Sequence, residues 1–211
     1  MAVSKRNKFL YGLGFSSQGI KYALFQLFLF FYFSQILGLD PLSAGASSVI
    51  ALLFDALNDP LVGTLSDRWK GGKWGRRHPF MLLSALPLGV FIYVLFTPPS
   101  GLDQLGLFAW LTFFSGMVRF SLTFFIVPGI SLGAELSSDF NGRTSITNYR
   151  VMFSAIIAPF ILLLGLVVFF TPTTGDANGL FNESTYSKFA LLCGLLSCLV
   201  ILIRSKLDIN I

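Results

Sequence analysis

The sequence predicts an all-α membrane protein with six transmembrane helices, and three observations carry that prediction. First, only 12% of the 211 residues are charged, about half the roughly 25% usual in soluble domains. With 54% hydrophobic residues, 24 phenylalanines and a mean hydropathy of +0.74, the chain has too little polar surface to cover a water-facing fold. Second, six apolar stretches reach or approach the roughly 17–25 residues that a helix needs to cross the hydrocarbon core. Third, the Lys and Arg residues between these stretches fall almost entirely on one face.

The first span, 11–37, follows a basic start with Lys5, Arg6 and Lys8. The apolar run is far longer than the core of a signal peptide, and no small-residue cleavage site closes it, so a retained helix is predicted. Gly12, Gly14 and Gly19 within it suit close helix–helix approach. The turn Gly38-Leu39-Asp40-Pro41 leads to the second span, 44–65, which ends in a basic loop over 66–79. The third span, 80–97, and the sixth, 186–203, are short. The fourth, 105–127, is expected to stop before Pro128, and the fifth covers 151–170. Cys193 and Cys198 lie too far apart along the last helix for a disulfide and are read as small apolar fillers.

Twelve basic residues are assigned to one face: Lys5, Arg6, Lys8, Arg68, Lys70, Lys73, Arg76, Arg77, Arg143, Arg150, Arg204 and Lys206. The opposite loops hold only Lys188. Basic loops stay cytoplasmic, so both termini are predicted inside. The net charge of +5 is therefore a topology signal, and no nucleic-acid-binding module accompanies it. No metal-ligand cluster and no nucleophile–base pair occurs, and the single histidine, His78, sits in the basic loop. An enzyme is not predicted, nor any organic cofactor.

Function is legible in the ionisable residues inside the spans. Asp55 and Asp59, four apart, put two carboxylates on one helix face, with Asn58 adjoining. Each charge near the bilayer centre costs about 2.5–3.5 kcal/mol on insertion scales, so the pair requires a cation, a proton or a basic partner. Pro60 lacks an N–H and leaves the carbonyl of Ala56 without its helical donor. Two carboxylates, an amide and a freed carbonyl form an all-oxygen cluster suited to a hard cation such as sodium, or to proton exchange. The alternative is an ion pair with Lys21 or Arg119 that only pins helices together. Lys21 is read equally as substrate contact or structural cation, and Arg119 as structural.

The string Gly63-Thr64-Leu65-Ser66-Asp67-Arg68-Trp69-Lys70, followed by Gly75-Arg76-Arg77, is the most distinctive in the chain. Its glycines permit close packing. Asp67 and the arginines can form salt bridges at the cytoplasmic helix ends that must break when helices rock.

With FDALNDPLVG before it, this string resembles the glycoside–pentoside–hexuronide:cation symporter family of the major facilitator superfamily. Further matches are YGLG at 11–14, FFYFSQILGL at 30–39, and VPGISLGAELSSDFNGR followed by Tyr149-Arg150. The resemblance spans nearly the whole chain but only the N-terminal half of such a transporter. It implies one six-helix half-domain over 1–211, built as a 3+3 pseudo-repeat in a bacterial inner membrane, and sodium- or proton-coupled symport of a sugar or glycoside. It maps a cation site on Asp55, Asn58, Asp59 and Thr123. It maps a substrate contact on Arg150, to which Gln18 and the intramembrane Lys21 are added as candidate contacts, and the loop residues Gly63, Asp67, Arg68, Gly75, Arg76 and Arg77 are read as a gating loop. Two departures bear on substrate. Gln18-Gly19 stands where galactoside-binding members carry Lys-Asp, and Ile126-Val127 precedes Pro128 where they carry an aspartate. Six helices supply one wall of a cavity, so transport is expected to need a second six-helix half, either a C-terminal half or another copy. The alternative is a truncated or regulatory half-module that does not transport.

Overall fold

The computed structural model describes residues 4–69, 77–137, 139–172 and 179–208, with side chains to residue 205. Six helical stretches cross the molecule: α1 over 5–36, α2 Pro41–Arg68, α3 His78–Leu95, α4 Gln104–Glu135, α5 Phe140–Leu164 with a π-helical end Gly165–Phe169, and α6 Glu183–Asp208. Helices α2 to α6 are each long and apolar enough to span a membrane. α1 covers the distance in pieces. Lys5–Gly14 and Ser16–Ala23 meet at Phe15, and π-helical turns follow at Leu24–Phe28 and Tyr32–Ile36. Such wide turns inside α-helices often mark functional positions.

Every helix differs from its predicted bounds, because hydropathy sees only the lipid-immersed part. α2, α4 and α5 start on aspartate caps. Asp40 accepts from the Ser43 amide at 3.0 Å, Asp103 from Gly106 at 2.8 Å and Asp139 from Gly142 at 3.2 Å. Pro41 supplies the first residue of α2, where its missing N–H costs nothing. α4 runs through Pro128 to Glu135 instead of stopping before it. A proline is tolerated inside a membrane helix when its surroundings compensate the disturbed backbone. Just past it, Tyr11 Oη donates to the Gly129 carbonyl at 3.1 Å and ties α1 to α4. α5 begins eleven positions before the predicted 151, which moves Arg143 and Arg150 from a loop into the helix. α6 continues past 203, and Arg204 is fully buried instead of sitting in a cytoplasmic tail. Its guanidinium carbon lies 4.4, 4.9 and 5.0 Å from the ring centres of Tyr11, Phe15 and Phe125. A planar, weakly hydrated guanidinium suits such an aromatic box.

The principal helix pairs are α2–α4, α1–α5, α3–α4 and α3–α6, with α1–α6 alongside. Exchanging α1 with α4, α2 with α5 and α3 with α6 maps this set onto itself, as a 3+3 repeat requires. The core lies along α1, α3, α4 and α6, where Phe15, Phe28, Tyr32, Phe96, Phe125, Tyr186 and Phe189 interlock. Gly89 of α3 and Gly194 of α6 make a tight crossing: a methyl at Gly194 would sit 2.6 Å from the Gly89 carbonyl oxygen. α2 and α5 are peripheral. Only 17% and 11% of their most apolar windows are buried, against 39–50% in α3, α4 and α6, so they present faces that lipid or another bundle must cover. Cys193 is buried and neither cysteine is bonded, consistent with a packing role.

Candidate functional site

The helix midpoints hold the charges. Lys21 lies midway along α1, Asp55 midway along α2 and Arg119 midway along α4. At 1.5 Å per residue, stretches of about 30 residues span some 45 Å, so these side chains meet near the middle of the hydrocarbon core. They line a cavity of about 180 Å³ together with Gln18, Tyr22, Asp59 and Thr123, closed on the α4 side by Leu122 and Ile126.

Arg119 Nη1 donates to Asp55 Oδ2 at 2.6 Å, the short contact of a charge-assisted bond. Their side chains are 12% and 27% exposed, so the pair is largely removed from solvent. The structural ion pair that the sequence offered as an alternative is thus formed by Arg119, and it engages only one of the two carboxylates. Asp59, one turn further along α2 and exposed, accepts from Thr123 Oγ1 at 3.0 Å. Lys21 shares the cavity without a salt bridge to either carboxylate. Its Nζ sits 4.9 Å from the Tyr22 ring centre and 5.5 Å from that of Phe25. Asn58 is buried away from this cavity, with its Nδ2 unpartnered, and Ala56 is exposed without lining it. Of the cation set mapped on the sequence, the fold therefore gathers Asp55, Asp59 and Thr123 and leaves Asn58 out.

A second cavity of about 520 Å³ opens between α1, α4 and α5. Gln18 and Tyr22 line both cavities, with Gln18 Nε2 donating to Tyr22 Oη at 3.2 Å. On the α5 side this second cavity carries Arg150 and Ser154, on the α1 side Gln26, and on the α4 side the apolar Ile126 and Ile130. Arg150 stands ten residues inside α5, well away from the loop to which its charge had assigned it. The glycine at 19 lets α5 come close here, because any side chain would meet the Ser154 carbonyl and the Ala158 amide.

A family model described as MFS/sugar transport protein matches residues 10–206 of this chain. The chain belongs to that family. An uncharacterized symporter of Synechocystis sp. is 32% identical over 152 residues, covering 70% of this chain and 28% of the relative. The isoprimeverose transporter of Lactiplantibacillus pentosus is 25% identical, covering 82% and 36%. Sodium-dependent lysophosphatidylcholine symporter 1 of Mus musculus is 30% identical, covering 69% and 28%. The matched region spans roughly a third of the length of these relatives. This MFS membership agrees with the glycoside–pentoside–hexuronide type expected from the second-helix motif, and it places the chain among multi-pass transport proteins and not among enzymes.

At one end of this MFS bundle a second charged group ties three helices together. Arg77, just before α3, contacts Glu135 of α4 at 3.0 Å and Asp67 of α2 at 3.4 Å. Its side chain is 9% exposed while the carboxylates are 52% and 61% exposed, so a buried guanidinium is held by two wet acids. Glu135 was missed in the sequence because the fourth span was ended at Pro128. A helix continued past that proline would have placed an acid at the same membrane level as Asp67. Gly63 packs against Val127, and Arg68 is exposed at the end of α2. Gly75 and Arg76 lie outside the described residues.

Proposed function

We propose that this chain is the N-terminal half of a cation-coupled transporter of a sugar or glycoside. Coupling is assigned to the Asp55–Asp59–Thr123 cluster and solute contact to Gln18, Lys21 and Arg150. The observation that carries the reading is the pair of adjoining cavities. One is lined by intramembrane carboxylates and the other by neutral polar groups with one arginine, and they share Gln18 and Tyr22. A change in the charge of the first thereby reaches side chains that line the second, which is what coupling between an ion and a solute demands. Hydroxyl-rich solutes suit amide, phenol, hydroxyl and guanidinium groups around an otherwise apolar wall. The isoprimeverose transporter among the relatives supports a sugar-containing solute.

The open faces of α2 and α5 support docking of a second six-helix half across the cavities. The test is uptake of radiolabelled sugars and glycosides into vesicles, with this chain alone and joined to a second half. Accumulation against a gradient is expected only for the joined form. Robust accumulation by the chain alone would establish a working homodimer instead, and no accumulation by any joined form would remove the transport reading.

The charge asymmetry supports cytoplasmic termini in the plasma membrane. In a background with Cys193 and Cys198 replaced, Ser100→Cys is expected to react with an impermeant thiol reagent from outside, and Asn141→Cys only after the membrane is opened. The reverse pattern inverts the topology.

The Arg77–Asp67–Glu135 group is assigned to conformational exchange, since it joins α2, the start of α3 and α4 far from both cavities. Arg77→Ala is expected to slow transport several-fold while solute binding at equilibrium changes by less than about twofold, because the group lies at the end of the bundle and lines neither cavity. Lost binding with an unchanged turnover would contradict the assignment.

A further inference from the structure

A groove between α3 and α4 belongs to neither polar cavity. It encloses about 270 Å³ and is lined mainly by apolar side chains. Its depth comes from small residues set among large ones: Ser84, Pro87 and Ser121 stand beside Phe91, Phe120 and Phe124. The Ser84 hydroxyl donates to the Met81 carbonyl at 2.7 Å, so it is satisfied within α3 and asks nothing of an occupant. We propose that this groove holds one acyl chain of an anionic phospholipid, drawn from the leaflet on the side of Arg68.

The placement of the groove selects lipid over protein. On α4 the polar cavity takes Arg119, Leu122, Thr123 and Ile126, whereas the groove takes Met117, Phe120, Ser121 and Phe124. At about 100° per residue these two sets lie on opposite sides of the helix. Neither α2 nor α5 lines the groove, so a second half seated on their open faces leaves it facing the bilayer. Residues 83–91 of α3 lie about 8–20 Å from its start at His78. Half of a hydrocarbon core about 30 Å thick is about 15 Å, so the groove is confined to one leaflet. A second bundle would need a face that runs the full span, as α2 and α5 offer and this groove does not.

The headgroup end is marked as well. The Phe124 ring stacks on Phe80 at 6.1 Å between centres, and Phe80 meets Trp69 edge-on at 5.7 Å. This line of rings leads from the groove to the end of α2, where Trp69 and Arg68 are exposed. Tryptophan favours the headgroup level, and basic residues there attract anionic lipid. The neighbouring Asp67 is already engaged by Arg77. In sequence the whole connection 66–79 carries five Lys or Arg against the single acid Asp67, so its sign complements an anionic headgroup.

The test is native mass spectrometry of the purified chain, with melting temperature read beside it. The probes are dioleoyl phosphatidylglycerol and dioleoyl phosphatidylcholine, which share acyl chains and differ in headgroup charge. One phosphatidylglycerol is expected to stay on each chain after the detergent is stripped, favoured about fivefold over phosphatidylcholine through Arg68. Leu83→Trp sets a ring at the rim of the groove and is expected to remove most of this retention. Leu86→Trp, one turn on and outside the groove, is expected to retain lipid as the parent does. Leu83 and Leu86 are 66% and 68% exposed, so both variants are expected to melt as the parent does once lipid is removed. Arg68→Gln is expected to keep a bound lipid and lose the preference for phosphatidylglycerol. Equal retention of the two lipids by the parent would overturn the proposal, and that measurement needs no variant. So would undiminished retention in Leu83→Trp, or a dimer that Leu83→Trp breaks, which would give the groove to a second copy. Neither readout involves solute, so failed uptake would remove the transport reading alone.

Discussion

In a complete transporter, Asp59→Asn is expected to abolish solute accumulation while leaving insertion and folding intact. Moving one elementary charge through 100 mV makes about 2.3 kcal/mol available, which at 1.4 kcal/mol per tenfold sustains an accumulation ratio of about 50. The variant keeps the Thr123 contact, since an amide oxygen accepts that hydrogen bond as a carboxylate does. It cannot change charge, so the ratio should fall to about one, with downhill exchange preserved. Asp59 is exposed and has no salt bridge among the described residues, so its replacement removes little stability. Vesicle uptake under an imposed potential, beside counterflow, measures both quantities. A ratio that stays well above one in the variant would sink the coupling role.

Arg119→Gln is expected to have the largest effect on stability. It leaves Asp55 charged at the midpoint of α2, and breaking a buried pair from one side costs about 3–5 kcal/mol; the 27% exposure of Asp55 points to the lower end. Asp55→Asn combined with Arg119→Gln should recover most of the loss, because no unpaired charge then remains. Thermal melting of the three variants in detergent decides it. If Arg119→Gln lies within about 1 kcal/mol of the parent, the pair is a solvated surface contact and not a buried one.

Asp55 and Asp59 stood out in the sequence because a charge in a membrane span is rare and costly, and spacing of four places both on one face whatever the rest of the fold does. Thr123 and Arg150 came only with the family resemblance. Glu135 and the burial of Arg204 were hidden because hydropathy ends a helix where polarity rises, although the backbone continues. The aspartates at 40, 103 and 139 were the signal that could have placed the true starts of α2, α4 and α5.

The sequence by itself determined the membrane class, the six spans and the two intramembrane carboxylates, because these follow from composition and local period. Which carboxylate is neutralised by protein was decided only by tertiary structure. Residues 55 and 59 are equivalent by helical period, but α4 brings Arg119 to one and Thr123 to the other. Asn58 is turned inward for the same reason: one residue along a helix is a rotation of about 100°, so the packing of α2 against α4, and not the neighbourhood in sequence, selects which oxygens face the cavity.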